Sequence, residues 1–142
     1  MSAVLKDNDV ADAIKGMDGW DYDDVYRCLR KEFAFDSFES AATFVQHVAK
    51  LASEVGHYPE ILIYKKGSVR ITATTPDEGG ITENDIGLIE SVEILVSWLF
   101  LLKKIKILLI LWQDTHPNVY RYILLNPKRV EILAKFHLTH GQ

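Results

Sequence analysis

Between Asp9 and Ile89 the apolar residues change their spacing repeatedly, and the order of those changes constrains the fold more tightly than any single residue. Asp9 can accept from the open amides of a following turn, and Val10, Ala13, Ile14 and Met17 recur every three or four residues before Gly16 and Gly19 stop the pattern. This predicts a short first helix. From Val25 to Phe35 the residues Val25, Leu29, Phe33 and Phe35 are apolar while Arg30 and Glu32 face the other way, as in a strand with one buried face. Trp20 and Tyr22 are expected to begin its partner. Asp36 with Glu39 makes a capping-box-like start to a second helix, whose Phe38, Ala41, Ala42, Val45, Val48, Ala49 and Ala52 form one broad apolar face. Gly56 supplies the left-handed end of that helix. Ile61 to Tyr64 and Val69 to Thr75 are β-branched runs around Lys65, Lys66, Gly67 and Ser68, a hairpin with Val69, Ile71 and Ala73 turned to the core. After a loop from Pro76 to Gly80, Thr82 with Asp85 opens a third helix through Ile86 and Ile89. The order is helix, two strands, helix, two strands, helix.

A second feature divides the 142 residues near position 94. Residues 1–93 hold 9 Lys and Arg against 18 Asp and Glu, a net −9, whereas residues 94–142 hold 7 against 2, a net +5. An acidic first part repels a phosphate backbone, so direct nucleic-acid binding through charge is not expected there. Ile94 to Trp112 is apolar nearly all round, interrupted by Lys103, Lys104 and Lys106. Some fifteen apolar residues at roughly −0.3 to −0.6 kcal/mol each are offset by three central lysines at about +2.5 to +3.5 each, so membrane insertion comes out near neutral. We expect two parts, a domain over 1–93 and an apolar, basic extension over 94–142. The third helix should continue into the extension and meet a protein or a membrane surface through residues 94–112, the lysines forming a wetted edge. Pro117 and Pro127 are breakers, and a helix is expected for Lys128 to His137.

Chemistry-bearing residues are few. The single cysteine, Cys28, allows no internal disulfide and suits a reducing compartment, the cytoplasm or the nucleus. The opening Met1 to Lys15 looks like neither a secretory signal nor a transit peptide. His137 and His140 lack a supporting acid or thiol, so no metal site is expected. His47 reads as a solvated helix residue. His57, Tyr58 and Pro59 follow the Gly56 cap in a tight connection, where side chains are positioned by rigid neighbours and remain reachable.

Gly19-Trp20, Arg30-Lys31-Glu32-Phe33-Ala34-Phe35, the Phe38 to Ala49 helix, Gly56-His57-Tyr58-Pro59-Glu60, Val69-Arg70-Ile71-Thr72 and Gly79-Gly80-Ile81-Thr82-Glu83-Asn84-Asp85 arrive in order. Together, over about Leu5 to Glu93, they resemble the pterin-4a-carbinolamine dehydratase family. The resemblance implies an α+β fold in which a four-stranded antiparallel sheet carries helices on one face, assembled as dimers or tetramers. It also implies a hydro-lyase that removes water from 4a-hydroxytetrahydrobiopterin to give quinonoid dihydrobiopterin, as in tetrahydrobiopterin recycling. The reduced pterin is then substrate, and no cofactor is implied. Some members also serve as dimerization cofactors of homeodomain transcription factors.

The family's active pattern is His-His-Pro followed by a third His in a Thr-His-Asp turn. Here His57 matches the first His and Pro59 the Pro, while Tyr58 stands in place of the second His and Pro76 in place of the third. By resemblance His57 is the principal acid/base group and Tyr58 orients the substrate, with Pro59, Asp77, Asp85 and Trp20 forming the pterin site. Dehydration of a carbinolamine needs a proton delivered to the departing hydroxyl and a proton taken from the ring nitrogen, tasks for groups that titrate near neutrality. A phenol near pKa ~10 donates a hydrogen bond but is a poor base at pH 7, and proline has no titrating side chain. The alternative reading is therefore a non-catalytic member that keeps the fold and acts as an oligomerising binding or assembly module.

Overall fold

The computed structural model describes residues 2–112 and 118, with side chains for 2–101, 104 and 118. Its elements are α1 (Asp7–Ile14), β1 (Asp21–Asp23), β2 (Cys28–Ala34), α2 (Phe38–Val55), β3 (Glu60–Tyr64), β4 (Ser68–Ala73) and α3 (Glu83–Trp112), with a short 3-10 turn at Pro76–Glu78. The strands form one antiparallel sheet in the order β1-β2-β4-β3. This is the α+β architecture expected, in the expected order of elements.

Register explains the core. In β2 and β4, Leu29 lies opposite Ala73 and Phe33 opposite Val69, so these residues and Ile71 share one face, and all five are buried. Ala41, Phe44, Val48 and Ala52 of α2 recur at helical spacing and cover that face. The Phe44 ring sits 5.0 Å from that of Phe33 and 4.9 Å from that of Phe35, centre to centre. Ile86, Leu88, Ile89 and Val92 complete the core from α3. Lys31, opposite Ile71, also points to the core side. It is accommodated because its ammonium donates to the Asp18 carbonyl at 2.6 Å and to Glu93 Oε1 at 2.5 Å. Gly67 lets the β3–β4 turn approach the chain after β2, since a Cβ there would lie 2.2 Å from the Phe35 carbonyl oxygen.

Three expectations need correction. The strand predicted from Val25 starts at Cys28, and Val25 is 80% exposed. Asp23 Oδ1 accepts the amides of Val25 (3.1 Å) and Tyr26 (2.9 Å), a side-chain turn that takes these residues out of the ladder before Arg27 passes through positive φ. The first helix begins at Asp7 rather than after Asp9, ends at Ile14, and buries only Val10. Asp7 and Asp9 occupy its first turn, where they face the positive end of the helix rather than cap it. The cap of α2 is Ser37, one residue after Asp36, its hydroxyl accepting the Ser40 amide at 3.1 Å.

Packing divides the chain between Val96 and Ser97. In the first unit Ile94 is 61% exposed. In the second, Trp98, Phe100 and Leu101 of α3 are exposed, and the Lys104 ammonium lies 5.1 Å from the centre of the Phe100 ring. Among the described residues no helix is long and apolar enough to cross a membrane. The helix expected at Lys128 to His137, and His137 and His140, lie outside the described residues.

The sheet face turned away from the core is polar and tied by ion pairs. Arg70 donates to Glu32 Oε1 from Nε (3.0 Å) and Nη2 (2.7 Å), and the Tyr64 hydroxyl donates to Glu32 Oε2 at 2.5 Å. The Tyr64 hydrogen bond, then Arg70, hold the Glu32 carboxyl below its usual range, and the same Glu32 contact pushes the Tyr64 phenol up. A carboxyl depressed in the folded state adds stability that is present above its unfolded pKa and lost as pH falls through the folded value. The gap in urea midpoint between the protein and Glu32→Gln should therefore be widest near pH 7 and close as pH falls below about 4. Both partners are about half exposed, so the gap itself should be small.

Candidate active site

His57 is placed by the end of α2. Gly56 takes the left-handed conformation (φ 70°, ψ 25°), and both its amide and that of His57 return to the Ala52 carbonyl, the latter at 3.1 Å. The imidazole is thereby turned toward the start of α3. There the Asp85 carboxylate, with no exposed surface, receives four contacts. Its Oδ2 accepts the Thr82 amide at 2.9 Å and the Thr75 hydroxyl at 2.7 Å, with the Thr82 hydroxyl at 3.4 Å. Its Oδ1 lies 2.6 Å from His57 Nε2. The expected Thr82–Asp85 helix start is thus present, with Asp85 serving both the helix and the histidine.

The chemistry of this pair follows from hydrogen counting. A carboxylate in its ionised form, facing an amide and two hydroxyls, can only accept. Nε2 of His57 must then carry the hydrogen, which leaves Nδ1 as the nitrogen able to take or give a proton. The imidazole side chain is 15% exposed, enough to be reached, and among the described residues Nδ1 makes no hydrogen bond. The ring is therefore fixed through Nε2 and reachable at Nδ1.

The other predicted site residues are distributed unevenly. Tyr58 is 69% exposed beside His57, and Pro59 is half-buried where the chain enters β3. Asp77 is exposed in the 3-10 turn begun by Pro76, and no hydrogen bond ties it to His57 or Asp85. Trp20 lies elsewhere. Its buried indole packs edge-on to Phe33 and donates to Glu93 Oε1 at 2.9 Å, eight residues along α3 from Asp85, or about 12 Å of helix. Sequence reasoning missed Thr75. Its place directly before Pro76, at the end of the strand run, was the available signal.

A concavity of about 780 Å³ lies on the polar face of the sheet, lined among others by Tyr26, Cys28, Arg30, Arg70 and Thr72. None of the predicted site residues lines it. Arg30 is paired with Asp23 at 2.6 Å and Arg70 with Glu32, and no imidazole lines this hollow. His47 is exposed on α2, as expected. Among the described residues no cluster of His, Cys, Asp or Glu could hold a metal ion.

Comparison with known proteins places the first unit in one family. A candidate pterin-4-alpha-carbinolamine dehydratase of Prochlorococcus marinus is 36% identical over 98 residues, 68% of this chain and 99% of the relative. One from Rhizorhabdus wittichii is 35% identical over 92 residues, 64% of this chain and 93% of its own length. The crystal structure of a transcriptional coactivator/pterin dehydratase from Brucella melitensis matches with a TM-score of 0.59 at 27% identity, covering 64% of this chain and 96% of that one. The family model for pterin 4 alpha carbinolamine dehydratase matches residues 3–95. A family model that matches nearly all of the first unit, with relatives above 30% identity over the same stretch, leaves one assignment: the chain belongs to the pterin 4 alpha carbinolamine dehydratase family.

Proposed function

We propose that the chain is a hydro-lyase that removes water from 4a-hydroxytetrahydrobiopterin, with His57 carrying the protons. The observation that supports this most is the 2.6 Å contact between His57 Nε2 and the buried Asp85 carboxylate, which leaves Nδ1 for the substrate. In its protonated form Nδ1 gives a hydrogen to the 4a-hydroxyl, the C4a–O bond breaks to release water, and the N5 lone pair closes the C4a=N5 bond. The neutral imidazole then takes the N5 hydrogen. One proton leaves His57 and one returns, so a single imidazole can complete the cycle without proton transfer by Tyr58 or Pro76. Tyr58, exposed and with a hydroxyl to donate, orients the pterin, and Pro59 sets the wall behind it. Trp20 is committed to Glu93 and is assigned no contact with the pterin. The reduced, buried thiol of Cys28 fits action in the cytoplasm.

The test is direct. Purified full-length protein mixed with freshly generated 4a-hydroxytetrahydrobiopterin should speed the appearance of the quinonoid product at least about 10²-fold over buffer. A rate equal to buffer ends the catalytic reading.

A second reading is favoured by Tyr58 and Pro76 in place of imidazoles and by the exposed Ile94 at the end of the first unit. On this reading the chain is an assembly module that pairs with copies of itself as a dimer or tetramer. Light scattering of the full chain at micromolar concentration should then report a stable oligomer, and a monomer would remove this reading.

A further inference from the structure

We propose that Thr75 is a positioning residue of the site, holding Asp85 so that one carboxylate oxygen remains for His57. The inference rests on the catalytic reading above for its functional meaning, while its geometry stands independently of activity. Asp85 could cap α3 through Thr82 alone, since the amide of Thr82 and the carboxylate are three residues apart and meet at 2.9 Å. The Thr75 hydroxyl comes from outside that helix, ten residues earlier, and makes the shorter contact to the same oxygen, 2.7 Å.

The loop that carries Thr75 is built to hold it. The Thr75 amide donates to the Gly80 carbonyl at 3.0 Å, and the Thr75 carbonyl accepts the amides of Glu78 and Gly79, each at 3.1 Å. Its backbone is therefore fixed from both sides before the side chain is considered. Hydrogen counting then orders the hydroxyls. With its own hydrogen on Asp85 Oδ2, Thr75 Oγ1 can only accept from the Thr82 hydroxyl 2.9 Å away. The sequence is Thr82 to Thr75 to Asp85, ending with His57 donating from Nε2 to Oδ1. Each bond polarises the next in a buried setting, and a carboxylate with Oδ2 occupied turns Oδ1 to the ring.

Loss of the Thr75 hydroxyl leaves Oδ2 underfilled. The carboxylate is then held on that side by Thr82 alone, and the hydrogen on His57 Nε2 faces a less firmly fixed acceptor. A residue that merely packs would not have this consequence, because valine conserves the volume of threonine.

The experiment reads the ring hydrogen by proton and nitrogen NMR of the full chain labelled at histidine nitrogen, with His57→Gln to assign the signal. The native protein should show a downfield Nε2 hydrogen protected from exchange. Thr75→Val should exchange it about 5-fold faster or more, the factor carried by one lost hydrogen bond, while Thr75→Ser keeps native exchange. Backbone amide spectra of each variant report folding, and Thr75→Ala supplies a second hydroxyl-free protein if the valine variant does not fold. A folded Thr75→Val or Thr75→Ala with native ring exchange overturns the proposal, as does a Thr75→Ser variant that loses protection. A protein without dehydratase activity that still shows the hydroxyl-dependent protection would sink the catalytic reading and leave Thr75 as the positioning residue of His57.

Discussion

His57→Gln is expected to lower dehydration of 4a-hydroxytetrahydrobiopterin by about 10²–10⁴-fold, down to the rate in buffer. Glutamine retains an N–H that can donate to Asp85 Oδ1, so the buried carboxylate stays paired and the fold is preserved, but it does not titrate. The change therefore removes proton transfer and little else. His47→Gln, on the exposed side of α2, should leave the rate unchanged and serves as the control for histidine replacement in general. The same logic runs in reverse at Tyr58 and Pro76. Both are exposed, so Tyr58→His combined with Pro76→His disturbs no core contact and adds two groups that titrate near neutrality. The double variant should be at least about 10-fold faster than the native chain. A His57→Gln protein with native rate, measured beside the buffer blank, would remove His57 from the reaction.

Elements were readable wherever a periodic apolar pattern met a chemical stop. The β4 run placed Val69, Ile71 and Ala73 inward and the structure buries all three, because alternation on a sheet with one covered face has a single solution. Gly56 marked the end of α2 for a similarly local reason, the left-handed φ of a helix cap. Where a side chain competed with the backbone, the pattern misled. Val25 continues the alternation of β2 in sequence, yet Asp23 captures the Val25 and Tyr26 amides and ends the ladder there. The candidate site divides along the same line. Asp85 was visible from its spacing to Thr82, and His57 from its place after the cap. Their contact spans 28 residues and is created by tertiary packing, as is the Thr75 bond to Asp85, so neither could be read from local spacing. Trp20 shows the converse, a conspicuous aromatic whose indole is absorbed by Phe33 and Glu93.

Asp85→Ala should be the most damaging single substitution to stability among the site residues, at about 3 kcal/mol. Two costs overlap in it. The first turn of α3 loses its acceptor, worth about 0.5–2 kcal/mol for a helix cap. The buried Thr82 amide is left without this partner, at a cost of about 1–3 kcal/mol if nothing replaces the bond, and the half-buried Thr75 hydroxyl loses the same acceptor. For a cooperative unit of roughly 100 residues this corresponds to a melting point lower by about 12–24 °C. Asp85→Asn separates the two roles of the residue. Its amide oxygen can still accept from Thr82 and Thr75, so the stability loss should shrink to about 1 kcal/mol. Its amide nitrogen then faces His57 Nε2 and donates to it, which forces the ring hydrogen onto Nδ1 and blocks the nitrogen meant for the substrate. The asparagine variant should therefore remain folded in a urea titration while its dehydration rate falls about 10²-fold or more. Equal rates for Asp85→Asn and the native protein would show that the carboxylate holds the helix without directing the imidazole.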